Sequence, residues 1–292
     1  MMKQSKFWKV ATIRWIFIGL PTLFIVTFYF YPMVQAFLTS LQSGSGNQLT
    51  FVGLDNYRRL GTDPVFLQSL GNTLLFLLVQ VPIMVVLSIF FSVILNQKIL
   101  RFKGLFRTLV YLPCVTSLVA YSIVFKSLFS NEGIINKLLA FLHLIDEPLL
   151  WLSDPFLAKL VIIFAITWRW TGYNMIFFLS ALQNIDPQIY EAADVDGASK
   201  WTQFFRITIP LLKPVILFSS ITSTIGTLQL FAEPMNITDG GPAGATMTIS
   251  QYIYNISFKY TPDFGYATAI SYVIVLLVII FSVIQTKVGD RK

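Results

Sequence analysis

The sequence predicts an all-helical membrane protein with six transmembrane helices, on three observations. Of its 292 residues, 55% are hydrophobic and only 12% charged, against about 25% charged in an ordinary soluble domain. Mean hydropathy is +0.70, and 27 Phe, 12 Tyr and 6 Trp supply more apolar surface than a water-facing fold can bury. Six charge-poor windows each reach the ~20 helical residues that a bilayer core of about 30 Å requires. A soluble two-domain enzyme is excluded. The single Cys114 and single His143 remove an intrachain disulfide, a cysteine metal cage and the usual triads, so no catalytic or metal site is expected. Their ordinary roles are a buried small apolar residue and an interfacial side chain.

The predicted spans are 15–39, 71–96, 108–129, 160–182, 211–231 and 266–286. The first follows a basic start, but its apolar run is too long for a signal core of 7–15 residues and lacks a small-residue cleavage site, so it is read as a span. With the N-terminus inside, fourteen basic residues fall in cytoplasmic segments: Lys3, Lys6, Lys9, Arg14, Lys98, Arg101, Lys103, Arg107, Lys200, Arg206, Lys213, Lys287, Arg291 and Lys292. Six fall outside, namely Arg58, Arg59, Lys126, Lys137, Lys159 and Lys259. The positive-inside rule then places both termini in the cytoplasm. It also accounts for the net charge of +7 without a nucleic-acid partner. The outer segment 130–159 carries Leu149, Leu150, Trp151 and Leu152 between acids. It reads as an interfacial helix with Trp151 at headgroup level, or as a docking surface.

The loop 184–213 is the most informative stretch. Asp186 before Pro187 suits a helix N-cap and first position, and no breaker follows through Val195. Gly197 then permits a turn or a close backbone approach. Trp201, Phe204 and Phe205 are apolar at i, i+3, i+4, as if lying against other helix ends, and Pro210 and Pro214 mark the start of span five. The pattern Glu191-Ala192-Ala193, three residues, Gly197, nine residues, Ile207, one residue, Ile209-Pro210 resembles the EAA loop of permease subunits of bacterial binding-protein-dependent ABC importers. Ile209 stands where that pattern usually has Leu. Further stretches resemble the carbohydrate-uptake branch: Phe51-Val52-Gly53-Leu54-Asp55-Asn56-Tyr57, Leu112-Pro113, Thr238-Asp239-Gly240-Gly241-Pro242 and Phe264-Gly265-Tyr266-Ala267.

The resemblance implies one type I importer permease domain over 1–292, fed by an extracytoplasmic solute-binding protein. It further implies a second homologous permease subunit and two ATP-binding subunits that hold ATP and Mg. This chain itself has no G-x-x-x-x-G-K-[ST] loop and is expected not to be an enzyme or to carry a cofactor. Glu191, Ala192, Ala193, Asp196 and Gly197 are the expected ATPase-coupling residues. The small side chains suit close packing on the partner, and the carboxylate of Glu191 suits a donor there.

The same resemblance points to a carbohydrate pathway along spans four and five. Arg169 lies mid-span, where a charge costs at least about 2.5–3.5 kcal/mol, and shares a helix face with Ile166, Trp170 and Tyr173. Aromatic rings with polar donors suit sugar faces and hydroxyls. The alternative for Arg169 is a pairing between helices, with a backbone carbonyl or with Glu233. On span five, Ser223, Gly226, Thr227 and Leu230 recur at similar spacing, with Gln229 a little off that face. These are packing positions or pathway positions. A secondary transporter would be expected to carry coupling acids within its spans, and none is found there.

Overall fold

The computed structural model describes residues 17–44, 50–97 and 100–289. Lys3, Lys6, Lys9, Arg14, Lys98, Arg291 and Lys292 of the charge count lie outside these residues. The described chain divides into two compact units, one built from the N-terminal region up to Gly61 with Asn255–Tyr272, the other from Thr62–Tyr254 with the chain from Val273 onward.

The first unit contains helix α1 (Phe17–Ser40), an antiparallel pair β1 (Gln42–Ser43) and β2 (Thr50–Phe51), and α2 (Asp55–Leu60). It also contains the beginning of α12 (Phe264–Gly289). Its joints explain two of the resembling motifs. Asn56 is buried and its amide donates to the carbonyls of Ser40 (2.9 Å) and Gln42 (2.8 Å). A Cβ at Gly265 would strike the Gln42 carbonyl oxygen, so only glycine admits that approach. Tyr266 is fully buried beneath the Arg59 guanidinium, 3.9 Å from its ring centre, and Arg59 also pairs with Asp263 at 2.9 Å. The motifs around Asn56 and Gly265 therefore meet as a scaffold.

The second unit holds α3 (Pro64–Asn96), α4 (Lys103–Val115), α5 (Leu118–Leu128), α6 (Ile134–Phe141), α7 (Pro155–Gln183), α8 (Pro187–Val195), α9 (Lys200–Leu228), α10 (Ala232–Ile237) and α11 (Ile249–Tyr254). α3 and α7 start alike, each with Pro at the first turn and an aspartate cap, Asp63 and Asp154, accepting from two backbone N–H groups, which satisfies donors the helix cannot. The two helices pack through small residues. Ser88 donates to the Thr171 carbonyl at 3.0 Å and Ser92 to that of Met175 at 2.9 Å, as expected where lipid supplies no hydrophobic drive between helices. Gly172 lets α4 approach, since a Cβ there would collide with the carbonyl oxygen of Val110.

Among the described residues, five helices, α1, α3, α7, α9 and α12, are long and apolar enough to cross a membrane, and the pair α4 and α5 passes the same test if counted as one broken span. The third expected span is thus not a continuous helix. Pro113 removes one backbone donor, Thr116 and Ser117 turn extended, and the two arms bend by 100°. Span two starts earlier than expected, at Pro64, because residues 64–70 are capped rather than loop. Span five runs from Lys200 to Leu228, so it begins and ends before the expected 211–231. A wider π turn at Phe204–Thr208, closed by the Ile209 N–H on the Phe204 carbonyl, stands just before Pro210.

In the outer segment Trp151 lies in a turn rather than a helix and is partly buried. Its indole donates to Asn136 Oδ1 (2.9 Å) and its ring packs edge-on against Phe129. The buried Asn136 amide also binds the Leu149 carbonyl and N–H, so the indole's polar end turns inward to a partner that satisfies it.

Candidate functional site

α8 is formed as its residues predict. Asp186 caps it by accepting from the Gln188 N–H at 2.9 Å, and Pro187 opens the first turn. Its end is set by Gly197 at φ +74°. The Ala198 N–H reaches the Ala193 carbonyl at 2.9 Å and the Gly197 N–H that of Asp194 at 3.1 Å, which is the complete Schellman arrangement with glycine at its left-handed position. Asp196 closes the helix just before it. Among the described residues, no atom beyond the two chain neighbours lies within 4 Å of where a Gly197 Cβ would stand. The glycine therefore serves the turn, and no close approach occurs within the chain.

The helix has two distinct faces. Ala193 is buried against the chain, and Tyr190 hydrogen-bonds Thr208 at 2.9 Å. Gln188, Glu191, Ala192 and Val195, spaced i, i+3, i+4, i+7, are all exposed, Val195 at 88%. The Glu191-Ala192-Ala193 motif is thereby split, two residues facing out and one facing in.

Asp194, absent from the expected set, ties α8 to α9. It accepts from Lys200 Nζ at 2.7 and 3.0 Å and from Gln203 Nε2, and Gln203 also holds the Ala198 carbonyl. The hydrogen bond from Lys200, followed by that from Gln203, holds the Asp194 carboxyl below its ordinary value. Of the aromatic residues beyond, only Phe204 packs inward, onto the cluster of Ile89, Phe178, Leu182 and Leu212. Trp201 and Phe205 stack on one another, 6.0 Å apart, and stay exposed. Phe205 thus keeps its i, i+4 relation to Trp201, and the face the two share points away from that cluster.

The expected pathway residues separate into two places. Trp170 and Tyr173 of α7 and Gly226 and Thr227 of α9 line one recess of about 50 Å³. Gln80 of α3, Asn174 of α7, and Thr222 and Ser223 of α9 complete it. It has room for a few water molecules or one hydroxymethyl group, not for a sugar ring. Asn174 is held by Ser219, which donates to Oδ1 at 2.6 Å, and itself donates to the Trp170 carbonyl. Trp170, Tyr173, Phe177 and Phe218 follow one another edge to face at 5.7, 5.1 and 5.6 Å, a favourable geometry for aromatic pairs.

Arg169 and Leu230 are elsewhere. Leu230 lies beyond the end of α9 and is buried in the cluster with Phe76, Phe125 and Ile166. Arg169 is largely and Glu233 of α10 fully withdrawn from solvent, with side chains 12% and 5% exposed and their charged atoms 3.7 Å apart. The guanidinium also stands over the Tyr121 ring at 5.5 Å. The structure thus places Arg169 in the pairing between elements that the sequence offered as its alternative. Glu233 lies outside every spanning helix yet meets the middle of α7. Cys114, half-buried, reaches the Arg169 carbonyl at 3.3 Å, and His143 is exposed at φ +55°.

Comparison with known proteins places this geometry. The family model described as binding-protein-dependent transport system inner membrane component matches residues 10–292. The chain is 55% identical over 273 residues to the lactose transport system permease protein LacF of Rhizobium radiobacter, covering 93% of this chain and 92% of that one. It is 36% identical to the arabinooligosaccharides transport system permease protein AraP of Halalkalibacterium halodurans, over 92% of this chain and 87% of that one. In fold it is similar to a chain of a bacterial ABC transporter involved in the import of the acidic polysaccharide alginate, with TM-score 0.84, 22% identity and coverage of 98% and 99%. The chain belongs to the inner-membrane components of binding-protein-dependent transport systems, as a multi-pass membrane subunit.

Proposed function

We propose that this chain is a permease subunit of an ATP-driven importer of a short oligosaccharide, with lactose the first candidate. The observation that carries this is the 55% identity to the lactose permease along nearly the full length of both chains. The substrate arrives from an extracytoplasmic binding protein, and a second permease supplies the wall facing the recess between α3, α7 and α9. A recess of about 50 Å³ is then one wall of a chamber, which is why it is smaller than its substrate.

Coupling runs through the loop. The exposed face of α8, with Glu191, Ala192 and Val195, docks on an ATP-binding subunit. Closure of that partner pushes α8, and the Asp194–Lys200–Gln203 cluster together with the Tyr190–Thr208 contact passes the push to α9. That helix is continuous to Leu228 and carries Ser223, Gly226 and Thr227 in the recess wall. ATP and Mg are held by the partners.

Both termini and the segments 97–107 and 184–213 lie in the cytoplasm, the arrangement favoured by the distribution of Lys and Arg. Two measurements test this function. The chain is co-expressed with its partners, reconstituted with the binding protein, and assayed for ATP-dependent lactose uptake. A cysteine placed at Glu191 is probed with an impermeant thiol reagent on intact cells. Uptake without ATP, or labelling from outside, overturns the proposal.

A further inference from the structure

The short helix α6 turns an apolar face away from the chain. Ile134, Leu138, Phe141 and Leu142 fall at i, i+4, i+7 and i+8, one stripe of a helical surface, and all four are exposed, Phe141 at 78%. The chain holds the other side. Ile135 packs on the cluster that contains Phe129, Val161 and Ile162, and Asn136 is buried in its bonds to the Leu149 backbone and the Trp151 indole.

Depth decides what meets the stripe. The Phe129 ring packs on Trp151 at 5.4 Å and on Phe164 at 6.2 Å between centres. Phe164 lies four residues, about 6 Å, beyond Leu160, where the apolar run of the fourth expected span begins. α6 is bonded to Trp151 and packed on the same cluster, so it stands at the level where the hydrocarbon ends. A solute-binding protein that docks and leaves uses a face no more apolar than the rest of a surface. Four large apolar side chains in one row, with no polar one among them, suit a surface that stays covered. Lys137, exposed at the margin of the stripe, can lay its stem along the apolar face and hold its ammonium among lipid phosphates.

We propose that α6 is an interfacial anchor, lying in the phospholipid headgroup layer with Ile134, Leu138, Phe141 and Leu142 in the acyl boundary. It thereby fixes the depth at which α5, joined to it by a short turn, comes to an end. Which leaflet it meets rests on the orientation proposed above; that it meets lipid does not.

The test uses the reconstituted complex in nanodiscs of phosphatidylethanolamine and phosphatidylglycerol. In a Cys114→Ala background, a nitroxide label is attached in turn at Leu138→Cys, Phe141→Cys and Ala140→Cys. Ala140 is exposed and lies about 200° around the helix from Leu138. Collision with oxygen, which concentrates in lipid, is compared with collision with a water-soluble nickel chelate. Labels at 138 and 141 should favour oxygen and report a depth of about 5–10 Å, whereas the label at 140 should favour the chelate. Labels at 138 and 141 that favour the chelate overturn the inference. So does shielding from both reagents, which marks a protein neighbour, and so does shielding that arises only when the binding protein is added, which marks a docking surface. None of these results touches sugar uptake, so the permease function stands or falls by its own assay.

Discussion

Replacing Gly197 by valine tests the coupling loop most directly, because the structure separates the two ways in which that change could act. Gly197 sits at φ +74°, where an L residue pays roughly 1–2 kcal/mol and a β-branched one is a marked outlier. The chain can escape the strain only by giving up the turn, which forfeits the Ala198–Ala193 and Gly197–Asp194 hydrogen bonds, each worth about 1 kcal/mol. Either route costs about 2 kcal/mol, which shifts the population of the native loop by a factor of about 5–30. Crowding inside the chain adds nothing, since the space around the position is open to 4 Å. Gly197→Asn is the control, because asparagine tolerates the left-handed region. The assay is transport and substrate-stimulated ATP hydrolysis in the reconstituted complex, with sugar binding by the isolated binding protein as an internal standard that should not move. Valine should depress both strongly and asparagine mildly. If valine couples like wild type, the loop does not transmit the ATPase stroke. If asparagine fails as badly as valine, a partner surface packed on Gly197 is responsible, and the conformational reasoning is wrong.

Four further outcomes are expected. Glu191→Ala, on the exposed face of α8, should weaken transport and stimulated ATP hydrolysis together by an amount equivalent to about 1.5–3 kcal/mol; normal stimulation in that variant would remove Glu191 from the interface. Tyr173→Ala should lower transport with the complex intact, whereas Arg169→Ala should lower thermal stability by about 3–5 kcal/mol by stranding Glu233. Pairing it with Glu233→Leu should recover much of that loss, and an Arg169→Ala complex as stable as wild type refutes the buried pair. Asp194→Asn should loosen α8 from α9, read as faster amide exchange at Ala198. Because the folded carboxyl sits below its ordinary value of 3.8, its contribution is complete above that pH and is lost only as pH falls through the lower folded value. Exchange at Ala198 in the wild type should therefore not respond to Asp194 between pH 5 and 8, and a transition there assignable to Asp194 would contradict the contact.

The features that were legible in the sequence are those whose cause is local. Asp186-Pro187 starts a helix and Gly197 ends it by means of neighbours within a few residues, and six apolar windows announce themselves by length alone. The role of Asp194 is invisible in the sequence because its partners lie six and nine positions on, across a turn whose geometry spacing does not reveal. The break after Pro113 hides within an unbroken apolar run, since proline is tolerated in many membrane helices. Leu230 falls on the expected helix face by spacing, but the helix ends at Leu228, before reaching it. The floor of the recess was out of reach for another reason: Gln80 stands more than eighty residues before Trp170, and only the packing of α3 on α7 brings them together. Arg169 shows the converse, since the cost of a buried charge predicts a partner, and Glu233 is one the sequence offers.

The bend between α4 and α5 has a bearing on where lipid can go. Two arms meeting at 100° cannot both run along the bilayer normal, and at 13 and 11 residues each is too short to cross about 30 Å of hydrocarbon alone. The corner at Thr116 and Ser117 interrupts the ladder of backbone hydrogen bonds, and the Thr116 hydroxyl covers only the Pro113 carbonyl, at 2.8 Å. Acyl chains cannot solvate what remains, at a cost of several kcal/mol for each bare group. Wherever that corner stands within the hydrocarbon it must be sheltered by protein or wetted by water, so the surface this subunit offers to acyl chains is interrupted at the elbow.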